Sequence, residues 1–253
     1  MKRRYLFLFL FLTISSWPAL SFAFEIGVRG YYWFPSLDGD VRADEGGIKG
    51  TTIDFDTDLG IDDEDYPSFE VFLGSGNHHF SLIFTDIDYS GSDTLTRNIL
   101  FNGQIYPIGA LVDSSIEYQM IDFSYQYDFI NLENILAGFS LGSVIQVKYL
   151  DGDVSLLTTG IDEKEDFSIP VPMLGLNLHV GILANILEGK IRGTGGTYSG
   201  DTVYELAGEI SWTPFPFMDI HGGYKTFAID IDEDDVVLDY DMSGPYITLT
   251  IGF

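Results

Sequence analysis

Nine ionisable residues of this sequence fall at positions where strand-like segments place their polar side chains. They are Arg29, Lys148, Arg192, Lys225, Glu70, Asp122, Glu205, Glu209 and His179. Each segment alternates apolar and polar residues, so the charged side chains are expected on one face of a sheet. If that face lines the inside of a closed sheet, the charged residues could have either of two roles. In one, they select ions or small polar solutes in a water-filled passage; in the other, they form ion pairs that fill a narrow interior.

A second set of candidate residues is acidic and lies between the strand-like segments. Asp54, Asp56 and Asp58 alternate along one stretch, and Asp232 and Asp234 belong to another acidic run. Hard divalent cations bind several carboxylate or carbonyl oxygens, so these residues predict a weak Ca²⁺ or Mg²⁺ site. A complete EF-hand spacing is absent, and solvated surface charge is the alternative interpretation. No other cofactor is predicted.

Two short motifs contain groups that could support hydrolysis. They are Asp86-Ile-Asp88 and Asp219-Ile-His221. A carboxylate that orients a histidine can activate water, and a pair of acids could complete such a site. However, the predicted strand order places Asp219 just after a turn at one end of the sheet and Asp86 far from that end. We therefore predict that the protein is not an enzyme.

Composition restricts the classes of partner. The chain has 12 Lys and Arg residues against 39 Asp and Glu, which gives a net charge of −27. A nucleic-acid partner is not expected, because phosphate binding needs a basic face. Cysteine is absent, which excludes thiol catalysis and cysteine-based metal sites. Aromatic residues make up 15% of the chain, which argues against a disordered acidic polypeptide.

The first residues have the organisation of an export signal. A basic stretch, Lys2–Arg4, precedes an apolar run at 5–14, and Ser21-Phe22-Ala23 supplies small residues for cleavage. The apolar run is shorter than the ~20 residues that a membrane-spanning helix needs. We predict a cleaved signal peptide at 1–23 and a single mature domain at 24–253.

The mature region alternates in the manner of an all-β protein. Its segments are separated by Asp- and Gly-rich stretches. Several have the length of roughly ten residues that a tilted strand needs to cross a membrane, with apolar side chains outward and polar ones inward. We count ten strands and predict a single antiparallel transmembrane β-barrel with long extracellular loops and short periplasmic turns. Barrels of eight or twelve strands are the alternatives.

The dipeptide Asn102-Gly103 is a strong turn signal, because it favours a type I′ two-residue hairpin. It joins long segments at 79–101 and 104–130, and the resulting register places Phe80 opposite Tyr125. Further along both segments the apolar phase reverses, which we interpret as paired bulges. The hairpin should then project roughly 40 Å beyond the membrane, at ~3.3 Å per residue. Alternatively, the dipeptide forms a periplasmic turn and the barrel gains two strands.

The last predicted strand ends on an aromatic residue. Ile247, Leu249, Ile251 and Phe253 alternate with other residues up to the final position of the sequence. This pattern resembles the signal that outer-membrane barrels present to the barrel assembly machinery. With the export signal and the alternating strands, it makes the chain similar to the small outer-membrane β-barrels of Gram-negative bacteria, the broad group of OmpW-like and OmpA-barrel-like proteins.

The resemblance implies an outer-membrane protein in contact with lipid and lipopolysaccharide. For its function, our first hypothesis is a narrow porin-like channel for ions or small polar solutes. The second is a nonconducting structural or surface-binding barrel with acidic loops. Omptin proteases are also ten-stranded barrels and carry paired acids and an Asp-x-His motif at their extracellular rim. The predicted positions of Asp86 and Asp219 do not bring such groups together here.

Overall fold

The computed structural model describes residues 24–132, 138–183, 186–198, 201–232 and 236–253. The predicted signal peptide at 1–23 lies outside the described residues. In chain order the strands are β1 Phe24–Trp33, β2 Ser36–Ala43, β3 Ile53–Asp54, β4 Tyr66–Ser75, β5 His78–Thr94, β6 Ile99–Phe101, β7 Gln104–Tyr106, β8 Leu111–Leu132, β9 Phe139–Thr158, β10 Ile161–Leu183, β11 Leu187–Tyr198, β12 Asp201–Phe215, β13 Met218–Asp232 and β14 Val236–Gly252. The described residues include no helix that is long and apolar enough to cross a membrane.

Ten of these strands form a closed antiparallel barrel. Their order is β1, β4, β5 and then β8 to β14, and β14 pairs with β1 to close the cylinder. The predicted ten-stranded antiparallel barrel is therefore confirmed. The start of β1, the end of β14 and the short β4–β5 and β12–β13 turns lie at one end, which we call the periplasmic end. The opposite end is called the outer end.

The outward face of the barrel carries an apolar band. In β5, Phe80, Leu82 and Phe84 point outward and remain 37–44% exposed. Phe80 pairs with Tyr125 of β8, which confirms the predicted register. Lipid around the barrel favours such side chains, because a charge on this face costs ~2 to 4 kcal/mol near the membrane midplane.

Above this band the same alternate residues of β5 still point outward, but the outward side chains are now polar and the inward ones apolar. Asp86 and Asp88 point outward and are exposed, whereas Ile87 and Tyr89 point inward and are buried. The β5–β8 register runs from His78 to Thr94 without a shift, so the predicted paired bulges are wrong. At this level the outward side chains are polar and the barrel interior holds an apolar core, as is expected where a barrel wall extends from lipid into water.

Loop 1, residues 34–65, folds into the outer end of the barrel. Within it, β2 pairs with the outer half of β14, and β3 pairs with β2. Four apolar side chains from β3 and the following turn enter the barrel and are at most 4% exposed: Ile53, Phe55, Leu59 and Ile61. They belong to one apolar core with inward residues of the barrel strands, which include Trp33, Tyr66, Ile87, Tyr89, Ile116, Tyr118, Met120, Leu150, Leu156, Phe227, Tyr240, Met242 and Tyr246.

Loop 2, residues 95–110, packs against the same core. Asn102 and Gly103 have positive φ angles of 47° and 70°, which confirms the type I′ turn between β6 and β7. These two strands form a separate small sheet, so the alternative with two extra barrel strands is wrong. Three side chains of the loop are buried in the core: Leu95, Ile99 and Tyr106. The predicted long strands do not run without interruption to Asn102-Gly103, because β5 ends at Thr94 and apolar burial holds loop 2 against the core.

Two adjacent residues of β5 test the reversal of polarity. We expect Ile87→Ala to destabilise the refolded protein by about 2 to 5 kcal/mol, because it leaves a cavity in the apolar core. Asp88→Ala, on the outward side of the same strand, should change the free energy of unfolding by no more than about 0.5 kcal/mol. Denaturant unfolding in detergent measures both. Equal effects of the two substitutions would contradict the inward placement of Ile87.

Candidate functional site

A polar chamber of about 300 Å³ occupies the barrel below the apolar core. All nine charged residues singled out in the sequence line it: Arg29, Glu70, Asp122, Lys148, His179, Arg192, Glu205, Glu209 and Lys225. They come from eight of the ten barrel strands, because each strand turns its polar phase inward at this level. The lining reaches Gly74 and Asp219 beside periplasmic turns. Towards the outer end it stops at Trp33 and Met120, which belong to the apolar core.

Lys148 links two sides of the chamber. Its Nζ lies 2.5 Å from Asp122 Oδ2 on the adjacent strand β8 and 2.8 Å from Glu205 Oε2 on β12. Gln146 Nε2 donates to the same two carboxylates at 2.7 and 3.2 Å, and Thr194 donates to Gln146 at 2.7 Å. The Lys148 side chain is only 1% exposed. These five residues, which we call the lysine cluster, therefore cross the lumen.

Arg29 organises a second cluster on the wall formed by β4, β1 and β14. Its Nη1 lies 3.2 Å from Glu70 Oε2, and its Nε donates to Thr250 Oγ1 at 2.8 Å. Tyr31 donates to the same Glu70 carboxylate. Glu70, Arg29 and Thr250 stand directly opposite one another in the sheet, so strand register sets these contacts.

Histidines pair with acids nearer the periplasmic end. His79 Nε2 lies 3.0 Å from Asp128 Oδ2, and His179 Nε2 lies 3.1 Å from Glu188 Oε2. Sequence reasoning identified His179 but missed Asp128 and Glu188. Both acids continue the inward phase of β8 and β11 to the ends of those strands. The same alternation, followed to the turns, is the signal that would have identified them.

Comparison with known proteins identifies the fold. No protein-family model and no curated protein matches the chain. Outer-membrane protease OmpT from Escherichia coli is similar at a TM-score of 0.56, with 8% identity over 94% of this chain and 100% of that chain. The chain has the fold of an outer-membrane β-barrel. At this identity the likeness to OmpT concerns the fold alone.

Two further solved structures match with lower TM-scores. Neisserial surface protein A has a TM-score of 0.34 and 13% identity, over 91% of this chain and 97% of that chain. The transport unit of the autotransporter AIDA-I from Escherichia coli has a TM-score of 0.42 and 8% identity, over 98% of this chain and 96% of that chain.

The last strand of this outer-membrane barrel turns the predicted assembly residues outward. Ile247, Leu249, Ile251 and Phe253 are 44–72% exposed. β14 pairs with both β1 and β13, and the Phe253 ring stacks on Phe217 with centroids 5.3 Å apart. The residues are placed where lipid would surround them, and their recognition by the assembly machinery stays a prediction.

The barrel wall separates the two motifs that could support hydrolysis. Asp86 and Asp88 are exposed on the outward side of β5, above the apolar band. Asp219 and His221 line the chamber at the start of β13, and Asp219 accepts a hydrogen bond from Thr213. The structure therefore does not bring these four groups together as a water-activating site.

Protein donors surround two of the acids predicted to bind a cation. Asp54 ends β3, Asp56 and Asp58 lie in the turn that follows it, and Asp54 Oδ1 accepts from the Thr57 amide at 2.7 Å. The Asp58 carboxylate binds the Arg97 guanidinium. Burial opposes ionisation of Asp58, but Arg97 and the Asp54 amide hold its pKa below the ordinary value. This ion pair clamps loop 1 to loop 2.

The remaining acids predicted for the cation site do not complete it. Asp56 and Asp232 are exposed, and Asp234 lies outside the described residues. Within the described parts of the chain, no group of three or more His, Asp or Glu side chains could hold a metal ion. The weak Ca²⁺ or Mg²⁺ site thus stays a prediction that rests on the density of acids alone.

Four aspartates form an acidic row across β13, β14, β2 and β3, above the apolar band. Asp230 pairs with Asp239, Asp239 with Asp40, and Asp40 with Asp54. Like charges directly opposite one another destabilise a sheet. Burial and the neighbouring carboxylates of Asp239 and Asp54 raise the pKa of Asp40 above its ordinary value.

The lysine cluster provides the first test of the site. Lys148→Met should destabilise the protein by about 3 to 5 kcal/mol, because it leaves Asp122 and Glu205 buried without a cation. Adding Asp122→Asn and Glu205→Gln to Lys148→Met should recover most of this loss. Lys164→Met is the matched control, because Lys164 is 57% exposed and its ion pair with Asp153 lies at the surface. Denaturant unfolding with no difference between Lys148→Met and the control would disprove the cluster.

The acidic row predicts a stabilising substitution. At pH 7, Asp40→Asn should raise the free energy of unfolding by roughly 0.5 kcal/mol, because it removes repulsion between carboxylates that are at least partly exposed to water. A raised pKa in the folded protein means that ionised Asp40 opposes folding, and that this penalty disappears as the pH falls through its folded pKa. The advantage of the variant should therefore shrink as the pH falls through that folded pKa and vanish below the ordinary Asp value of about 3.9.

Asp151→Asn is the matched control for that measurement. Asp151 is exposed on an outward position of β9, and Gln119 and Ser168 rather than acids stand opposite it. It should give no such gain. An Asp40→Asn advantage that persists unchanged in acid, or that equals the control, would show that repulsion along the row is not its source.

Proposed function

We propose that this protein is a nonconducting outer-membrane barrel whose outer end is sealed. The observation that carries the proposal is the burial of four loop 1 side chains, Ile53, Phe55, Leu59 and Ile61, inside the barrel. An ion that entered this region would lose its hydration without gaining a charged partner, which is costly. The lysine cluster adds a second obstruction below the core.

In this proposal, the protein acts through its outer surface and its wall. Loops 1 and 2 are packed on a common core and clamped by Asp58 and Arg97, so they present a preorganised surface. The acidic row makes part of that surface strongly negative. A structural or surface-binding role fits these features without any passage of solute and without catalysis.

The proposal includes a route to the membrane. We infer that the segment at 1–23 directs export and is removed, and that the assembly machinery recognises the strand ending at Phe253. The outward apolar band would then contact lipid, with lipopolysaccharide around the outer end. Support comes from the sequence pattern and from the exposed apolar side chains of the band.

A narrow channel is the second candidate function. It is favoured by the polar chamber, whose charged lining reaches the periplasmic turns. For the barrel to conduct, loop 1 would have to leave the apolar core and the lysine cluster would have to separate. The channel candidate therefore requires a second arrangement of the outer end.

Planar-bilayer recording of the refolded protein separates the two candidates. We expect no unitary currents from the wild type. The double substitution Phe55→Asp and Leu59→Asp should raise the leak, because two charges cannot remain in the apolar core. Asp56→Ala, an exposed position in the same turn, should behave like the wild type. Reproducible ion-selective current steps from the wild type would contradict the sealed barrel and favour the channel.

A further inference from the structure

The chamber contains two cations that no carboxylate neutralises by direct contact. Among the described residues, neither Arg192 nor Lys225 forms an ion pair, in contrast to Arg29 and Lys148. The buried Arg192 Nε has no hydrogen-bond partner. The Lys225 Nζ lies 3.6 Å from the centroid of the Trp33 ring, a cation–π contact that supplies no hydrogen-bond acceptor.

Strand register brings these two cations to the same level of the wall. Arg192 of β11 pairs with Ala207 of β12, and Ala207 pairs with Lys225 of β13. All three residues line the chamber. Adjacent strands lie ~4.8 Å apart, so the Cα atoms of Arg192 and Lys225 lie roughly 10 Å from each other. In the sheet only Ala207 stands between them, and its small methyl side chain occupies little of the chamber.

The carboxylates that flank Ala207 on β12 already have partners. Glu205 binds Lys148 at 2.8 Å, and Glu209 accepts from Tyr246 at 2.8 Å and lies 3.5 Å from His221. Among the described residues neither carboxylate forms an ion pair with Arg192 or Lys225, so both cations can still donate to a further acceptor.

A neighbouring amide has an unused acceptor at the same level. Asn177 stands directly opposite Arg192 on β10, is 1% exposed, and has a buried Oδ1 without a hydrogen-bond partner. This side of the chamber thus holds both a donor and an acceptor that protein groups leave unpaired. Buried polar groups are usually hydrogen-bonded, so unpaired ones at a cavity indicate bound water or a ligand.

We propose that the chamber binds a small oxyanion, a carboxylate or a phosphate, over Ala207 between Arg192 and Lys225. A guanidinium matches two oxygens of such a group with parallel hydrogen bonds, and an ammonium adds a point charge. The oxyanion would enter from the periplasmic end, because the apolar core closes the other end of the chamber. The volume of about 300 Å³ accommodates a ligand of several non-hydrogen atoms together with water.

Isothermal titration of the detergent-solubilised full-length protein tests this site. The titrants are succinate and inorganic phosphate, with sodium chloride at equal ionic strength as the reference. We expect saturable binding of at least one titrant to the wild type, and a preference between them identifies carboxylate or phosphate as the ligand chemistry. Arg192→Gln and Lys225→Gln should each weaken binding by about tenfold or more.

Two further variants keep the test decisive. Ala207→Leu fills the space between the cations without changing charge, so it should abolish binding even if a charge variant fails to fold. Lys164→Gln removes a cation at the outer surface and should bind like the wild type. No saturable binding above chloride would overturn the proposal, as would wild-type affinity in Arg192→Gln, Lys225→Gln or Ala207→Leu. A conducting wild type would contradict the sealed barrel and leave this binding result unaffected.

Discussion

The change of solvent along the barrel axis is the constraint on which the rest of this structure depends. The outward side chains of β5 are apolar up to Phe84, which suits lipid, and charged from Asp86 onward, which suits water, while the strand continues without a bulge. Because strand side chains alternate, the inward face changes in the opposite sense. Charged side chains therefore fill the interior of the membrane-spanning part, and apolar side chains fill the interior above it.

The inward apolar side chains at the outer end require an apolar filling, and loop 1 provides it. Burying a large aliphatic or aromatic side chain contributes about 1.5 to 3 kcal/mol, so four such side chains stabilise the inserted loop by several kcal/mol. The Asp58–Arg97 ion pair contributes less, because half of the Arg97 side chain is exposed to water. The position of loop 1 thus depends mainly on apolar burial. Charge interactions are also weak in the acidic row, because water screens the repulsion between its carboxylates.

Local pattern was enough to predict the strands but not the filling of the barrel. Alternation and the Asn102-Gly103 turn predicted ten strands and the Phe80–Tyr125 register, because both depend on neighbouring residues. Ile53, Phe55, Leu59 and Ile61 were overlooked, because the acids interleaved with them are typical of a solvated loop. The paired bulges were a wrong interpretation that assumed lipid along the whole length of β5. The contact of Lys148 with Glu205 depends on the width of the closed barrel, and alternation within single strands does not predict that width.

Amide hydrogen exchange in loop 1 tests the sealed outer end most directly. The Phe55 amide donates to Gly39 at 3.1 Å, the Gly60 amide to Asp56 at 2.8 Å and the Ile61 amide to Phe55 at 3.0 Å. If these residues form part of the core, their amides in the detergent-solubilised protein should exchange as slowly as those of β5. Exchange at the rate of an unstructured peptide, while the barrel strands remain protected, would show that loop 1 does not close the barrel.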